Sequence, residues 1–197
     1  MEVMVKRTYD VSGFPKKVCL RDGTRIVLKP MTPDDAGALL DFFRGIPAEG
    51  RFYLKEDVTS RKVVERWVEE LDYDRTLPLL GWVEDKVVAD ATLHRNRAGA
   101  RRHSGEVRVL VTPEYRSRGL GTTLLRELAQ IADKNGLERL LFEAVAEKEE
   151  AAIQAAKFLG FFQVGTLGNF AKDLDGHSRD LVLLELPLGK WLEWWSF

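Results

Sequence analysis

The chain has 197 residues, 45% of them hydrophobic, with 30 Lys and Arg set against 31 Asp and Glu for a formal charge of −1. This length suits one domain, two at most, with a sizeable core, and the near-neutral charge argues against a dedicated nucleic-acid binder. Cys19 is the only cysteine, which excludes an internal disulfide and is compatible with a reducing cytoplasm; no apolar run nears membrane-spanning length, and Met1–Arg7 lacks the apolar core of a signal peptide.

Residues 1–23 are weakly patterned and read as an N-terminal extension. Thr24–Lys29 alternates and is β-branched, which predicts a strand. Thr32-Pro33-Asp-Asp35 then has the form of a helix start, with Thr32 as N-cap, Pro33 in the first turn and Asp35 closing a capping box. Ala36, Leu39, Leu40 and Phe43 supply that helix's apolar stripe. Ser60 opens a second helix, with Val63, Val64, Trp67, Val68 and Leu71 on one face. Leu79–Val83 and Val87–Leu93 flank Glu84-Asp85-Lys86 as a hairpin. Arg95–Ser104 reads as a basic loop, and Gly105–Val111 as a strand. A helix from Gly119 carries Leu120, Leu124, Leu125, Leu128 and Ile131 on one face and stops at Asn135-Gly136. Leu140–Val145 is the next strand and Lys148–Leu159 the next helix. Phe161–Phe170 and Leu181–Leu186 form a last hairpin around Asp175-Gly176. Periodicity alone gives a mixed α/β domain.

The junction Arg116-Ser117-Arg118-Gly119-Leu120-Gly121-Thr122 places two glycines and two arginines where a strand gives way to a helix. The first helical amides lack intrahelical partners, and the helix dipole adds partial positive charge there. Glycines allow a pyrophosphate to approach the backbone. Neither the Rossmann nor the P-loop pattern fits. Arg116-x-x-Gly119-x-Gly121 resembles the [Q/R]-x-x-G-x-[G/A] acetyl-CoA loop of the GNAT acyltransferases, most closely the branch that acetylates protein lysines. The resemblance covers Thr24 to Leu188. It implies an α/β (α+β) fold with a mixed sheet of six to seven strands, splayed at the cofactor cleft, and four main helices. It also implies one catalytic domain over residues 24–188, with residues 189–197 as a Trp-rich tail.

Acyl transfer to an amine has three needs. The amine must lose a proton, since a free lysine amine has a pKa of about 10.4. The thioester oxygen needs a donor as it gains charge. The leaving thiolate can take a proton. The resemblance assigns the donors to the backbone of Val109, Leu110 and Val111. It makes Glu106, ten positions before Arg116, the general base, with Glu143 as second candidate; Glu106 also reads as a solvated strand-end glutamate. The tyrosine acid that many such enzymes carry four residues before the glycine of Leu159-Gly160-Phe161 is Ala156 here, and the asparagine that often starts that helix is Glu149. Tyr115 reads as packing at its turn.

The cluster His94, Arg95, Arg97, Arg101, Arg102 and His103 reads as a solvated loop in preference to a partner site. It sits at the strand's entrance, roughly 20 Å from the phosphate end. Trp191, Trp194 and Trp195 share a helical face with Phe197 close by, and packing on the domain or in a homodimer is favoured over a membrane contact. The histidines show no metal spacing. The expectation is a cytoplasmic, acetyl-CoA-dependent N-acetyltransferase for a small-molecule amine or a protein lysine, with no nucleic-acid or membrane partner. The rivals are a silent acyl-CoA-binding sensor and a scaffold whose function is an interface built on the tail.

Overall fold

The computed structural model describes residues 9–54 and 56–189. The strands are β1 (Lys16–Cys19), β2 (Arg25–Pro30), β3 (Thr76–Val83), β4 (Lys86–Arg95), β5 (Ser104–Val111), β6 (Arg139–Val145), β7 (Phe162–Lys172) and β8 (Ser178–Pro187). The helices are α1 (Ala36–Gly45), α2 (Ala48–Phe52), α3 (Arg61–Glu69), α4 (Leu120–Lys134) and α5 (Glu150–Phe158). The strands form one mixed sheet in the order β1-β2-β3-β4-β5-β6-β8-β7.

The order of elements follows the sequence expectation, with two additions. β1 lies in the stretch read as a weakly patterned extension. Its four residues, Lys-Lys-Val-Cys, sit at the sheet edge and are largely exposed, so they show no alternation. What holds them is the ladder with β2 and the burial of neighbouring Tyr9 and Leu20. α2 is too short, at five residues, to display a helical period. Among the described residues the sheet therefore has eight strands rather than six or seven, and the helices number five rather than four.

Each face of the sheet is covered by helices. Leu120, Leu124, Leu125 and Leu128 of α4 pack on one face against Val107, Leu140 and Phe142. Burying each such leucine contributes about 1.5–3 kcal/mol. On the other face, Leu39, Leu40 and Phe43 of α1 and Val64 and Val68 of α3 cover Leu80, Trp82 and Val87. The turn Pro33–Asp35 that leads into α1 closes with the return bond of a capping box, the Asp35 carboxylate accepting the Thr32 amide at 2.8 Å; it also accepts the Thr32 hydroxyl at 3.0 Å.

β5 and β6 form the sheet's parallel pair, and it is short. Ser104, Gly105 and Glu106 face Arg139, Leu140 and Leu141, and the pairing ends there. Gly105 makes the contact possible. A Cβ at that site would meet Leu93 and Leu140 side-chain carbons at 2.8 and 2.9 Å. Beyond it β5 continues with β4 to Val111, while β6 continues with β8 to Val145. The two strands diverge, and the expected cleft opens between them.

Candidate active site

The divergence leaves Val107–Val111 without a ladder partner on the side away from β4. This is the backbone edge to which the sequence reading assigned the donors. Val109 and Val111 pack toward α4, and Leu110 turns to the opposite face.

α4 starts at the end of that strand. Gly119 is its N-cap at φ 89°, a left-handed conformation that favours glycine. Ser117 also has positive φ, at 59°. Gly121 lies against Val109 and Val111, so the helix start and the open strand edge adjoin. The Leu120 side chain is buried, which leaves only its backbone facing outward. The two arginines are held locally. Arg116 Nε donates to the Val111 carbonyl at 2.9 Å, and Arg118 Nη1 pairs with Asp22 Oδ2 at 2.9 Å. Arg118 also lies over the Tyr115 ring, 5.2 Å from its centroid, so Tyr115 packs at the turn as expected. The contact with Asp22 had no signal in the sequence, because it depends on β1 being a strand. These groups fit coenzyme A: free helix-start amides and a glycine in the left-handed region for a pyrophosphate, then an unpaired strand edge for the pantetheine amides.

On the other face lies a cavity of about 800 Å³ between the sheet, α1 and α3. Met31, Leu39, Phe43, Trp67 and Leu71 form apolar walls, and Val109 and Leu110 connect it to the open edge. Glu106 and Glu143 both line it and are brought together by Arg108. Arg108 Nη2 is 3.2 Å from Glu106 Oε1 and 3.5 Å from Glu143 Oε2. Glu106 thus has a built environment and is no solvated strand end. Glu149 also faces the cavity; burial pushes its carboxyl up, against the amide of Val145 that donates to it at 2.7 Å. Ala156 is fully buried, so the position where related enzymes place a tyrosine presents no hydroxyl.

Sequence reasoning missed Asp90. It lies in mid-β4, opposite Leu110, and lines the same cavity. Burial raises its carboxyl to about 7, with the Thr92 hydrogen bond opposing the shift. The available signal was a lone acid inside the apolar run Val87–Leu93.

The basic loop is partly absorbed by structure. Arg95, almost buried, pairs with Asp74 and lies 4.3 Å over the Tyr9 ring. Arg97 pairs with Asp72 and, at 2.7 Å, with Asp74. These arginines clamp the entrance of β3 instead of forming the solvated loop expected. Asp173, Asp175 and His177 gather at the β7–β8 turn, where the Asp173 carboxylate accepts two turn amides and the Arg179 guanidinium. Among the described residues no helix is long and apolar enough to cross a membrane. The Trp-rich segment from Trp191 to Phe197 lies outside the described residues.

A cleft opened by a short parallel pair, with a glycine-started helix at its end, defines an acyltransferase of the GNAT type. The profile of the Acetyltransferase (GNAT) family matches residues 41–161, and the chain belongs to that family. Members of the family are N-acyltransferases that use acetyl-CoA. The chain is 32% identical over 80 residues to the [ribosomal protein bS18]-alanine N-acetyltransferase of Escherichia coli K12, a match covering 41% of this chain and 53% of that protein. The chain thus spans about half the length of the curated relatives it matches. Among solved structures, the GNAT domain of S. lividans PAT superposes with a TM-score of 0.73 at 26% identity, covering 88% of this chain and 96% of that one. The yncA protein of Salmonella typhimurium, solved with its cofactor acetyl-CoA, has a TM-score of 0.70 at 18% identity over 84% of this chain and 95% of its own, a likeness of fold.

Proposed function

We propose that this chain transfers an acetyl group from acetyl-CoA to the primary amine of a protein, a lysine side chain or a chain terminus, by direct attack. The observation that carries this reading is the meeting of the acceptor cavity with the open edge of β5 at Val109 and Leu110. The bound thioester supplies the acyl carbon. Amides of Arg118, Gly119, Gly121 and Thr122 hold the pyrophosphate at the start of α4. Amides of Val109 and Val111 donate to the pantetheine and to the thioester oxygen as it gains charge, whereas the Leu110 amide, in phase with that of Thr112, faces β4. The α1 and α3 walls orient the acceptor, and a carboxylate of the cavity takes its proton; Glu106 and Glu143 are the candidates legible in the sequence.

The protein acceptor is supported by the alanine N-acetyltransferase relative and by a cavity large enough for a side chain. A reducing cytoplasmic setting is supported by Cys19, an exposed free thiol. Association of two copies through the aromatic tail belongs to the same reading and is tested by sedimentation of a chain lacking residues 190–197. A second reading, a silent acyl-CoA sensor, is favoured by Ala156 alone. A thiol-release assay with acetyl-CoA, against a panel of amines and lysine- or alanine-headed peptides, decides between the two. Turnover with any acceptor supports the enzyme; tight acetyl-CoA binding without turnover supports the sensor.

A further inference from the structure

We propose that Asp90 is the group that takes the proton from the attacking amine. The proposal rests on the acyltransferase reading and adds to it a residue on a different strand from the two glutamates.

Asp90 and Leu110 are ladder partners on β4 and β5. Such partners carry their side chains on the same face with Cβ atoms about 4.5–5.5 Å apart. Both line the acceptor cavity. Asp90 is therefore beside the open segment assigned to the thioester. Glu106 lies three residues before Val109, roughly 10 Å along the strand. Its stretch of β5 is still paired with β6. Glu106 and Glu143 also share Arg108, which faces one oxygen of each.

Asp90 has no ion pair among the described residues. Its Oδ1 meets the Thr92 hydroxyl at 3.3 Å, and its neighbours across the sheet are Leu80 and Leu110. The charged groups that share the cavity are Arg108 and Glu106 on β5, His94 on β4, Glu143 on β6 and Glu149 at the head of α5. From α3 and its flanking loops come Glu56, Arg66, Glu70, Asp72 and Arg75. None of these cations forms a salt bridge to Asp90. A carboxylate among apolar neighbours without a counter-ion holds a proton more readily, and burial raises this one to about 7. Such a base is partly ionised at neutral pH and basic enough to act.

The step balances. The acceptor ammonium passes a proton to an Asp90 oxygen, directly or through one water; the freed electron pair on nitrogen forms the C–N bond, and the nitrogen's second proton leaves to solvent as the amide forms. The C–S bond then breaks with its electron pair on sulfur. The proton leaves Asp90 for the thiolate by way of solvent.

Asp90→Asn preserves shape and removes basicity. Acetyl-CoA affinity by calorimetry should stay within about twofold, and kcat near neutral pH should fall by about 10² to 10⁴. The deficit should narrow as pH rises, because more acceptor amine is then already neutral. A second readout needs no turnover. Carboxyl ¹³C NMR of aspartate-labelled protein should contain a resonance titrating near neutral pH that Asp90→Asn removes and Glu143→Gln retains. Should Asp90→Asn fail to fold, Asp90→Ser with added formate replaces it, and recovery of turnover by formate supports the role. An active wild type whose Asp90→Asn variant keeps full rate and an unchanged pH profile overturns Asp90 alone, as does an aspartate spectrum with nothing titrating above pH 5. A wild type that releases no thiol with any acceptor overturns the acyltransferase reading together with it.

Discussion

Arg108 Nη2 lies 3.5 Å from Glu143 Oε2, joining β5 to β6 just past their last backbone pair, Glu106 with Leu141. The mouth of the cleft is thus spanned by charge where the peptide ladder has stopped. Both side chains are about a quarter exposed, at 23% and 27%, so solvent screens the pair appreciably. Arg108→Gln should lower stability by roughly 1 kcal/mol. For a domain of this size that is about 2–4 °C in Tm. Thermal unfolding at low and high salt checks it: the loss should shrink as salt rises. A Tm unchanged at low salt would mean the contact carries no stability.

Gly119 sits at φ 89° where α4 begins. Gly119→Val should weaken acetyl-CoA binding at least tenfold by calorimetry, since a branched side chain is strained in that region and obstructs the helix-start amides. The fold should persist, because a Cβ there meets no atom closer than 3.9 Å. Unchanged affinity would refute the cradle.

Asp90 should cost stability in a pH-dependent way. Its folded pKa, about 7, lies above its ordinary value of 3.8. Between those values the native state holds a proton that the unfolded chain has lost, so stability falls as pH rises through that window. Asp90→Asn should therefore be about as stable as wild type near pH 4 and more stable, by a kcal/mol or more, at pH 8. Denaturant unfolding at the two pH values measures it. A variant less stable than wild type at pH 8 contradicts the assignment.

Trp67 stands in the cavity wall, edge-on to Phe43 at 5.9 Å, with its indole N–H donating to Glu56 at 3.1 Å. It is on the α1–α3 side, away from the start of α4. Trp67→Ala should raise KM for the amine several-fold and leave acetyl-CoA affinity within twofold. Equal losses in both would contradict a division between acceptor wall and cofactor edge.

What the sequence disclosed depended on whether the signal was local. Gly119, Asn135 and Thr32 mark helix ends by their own backbone needs, and the leucines of α4 repeat at helical spacing, so those elements were readable one by one. β1 was not, because an exposed edge strand of Lys-Lys-Val-Cys has no alternation to read. Asp90 was overlooked for a related reason. Its meaning comes from facing Leu110 in a ladder, and its nearest acidic competitor in sequence, Glu106, stood closer to the motif. Arg95 and Arg97 looked like free cations until Asp72 and Asp74, more than twenty positions earlier, were folded against them. Spatial pairing across strands is where linear spacing loses its force.

The contact between Asp22 and Arg118 links two distant parts of the chain. Asp22 belongs to the turn between β1 and β2, and Arg118 to the loop that would meet the coenzyme's phosphates. If bound phosphate favours the seated arrangement of that loop, it also favours the docking of the first strand, and by reciprocity whatever loosens the first strand weakens the hold on phosphate by the same factor. Through that pair Asp22, in a turn that looks dispensable when the chain is read as text, would be a distant handle on cofactor affinity.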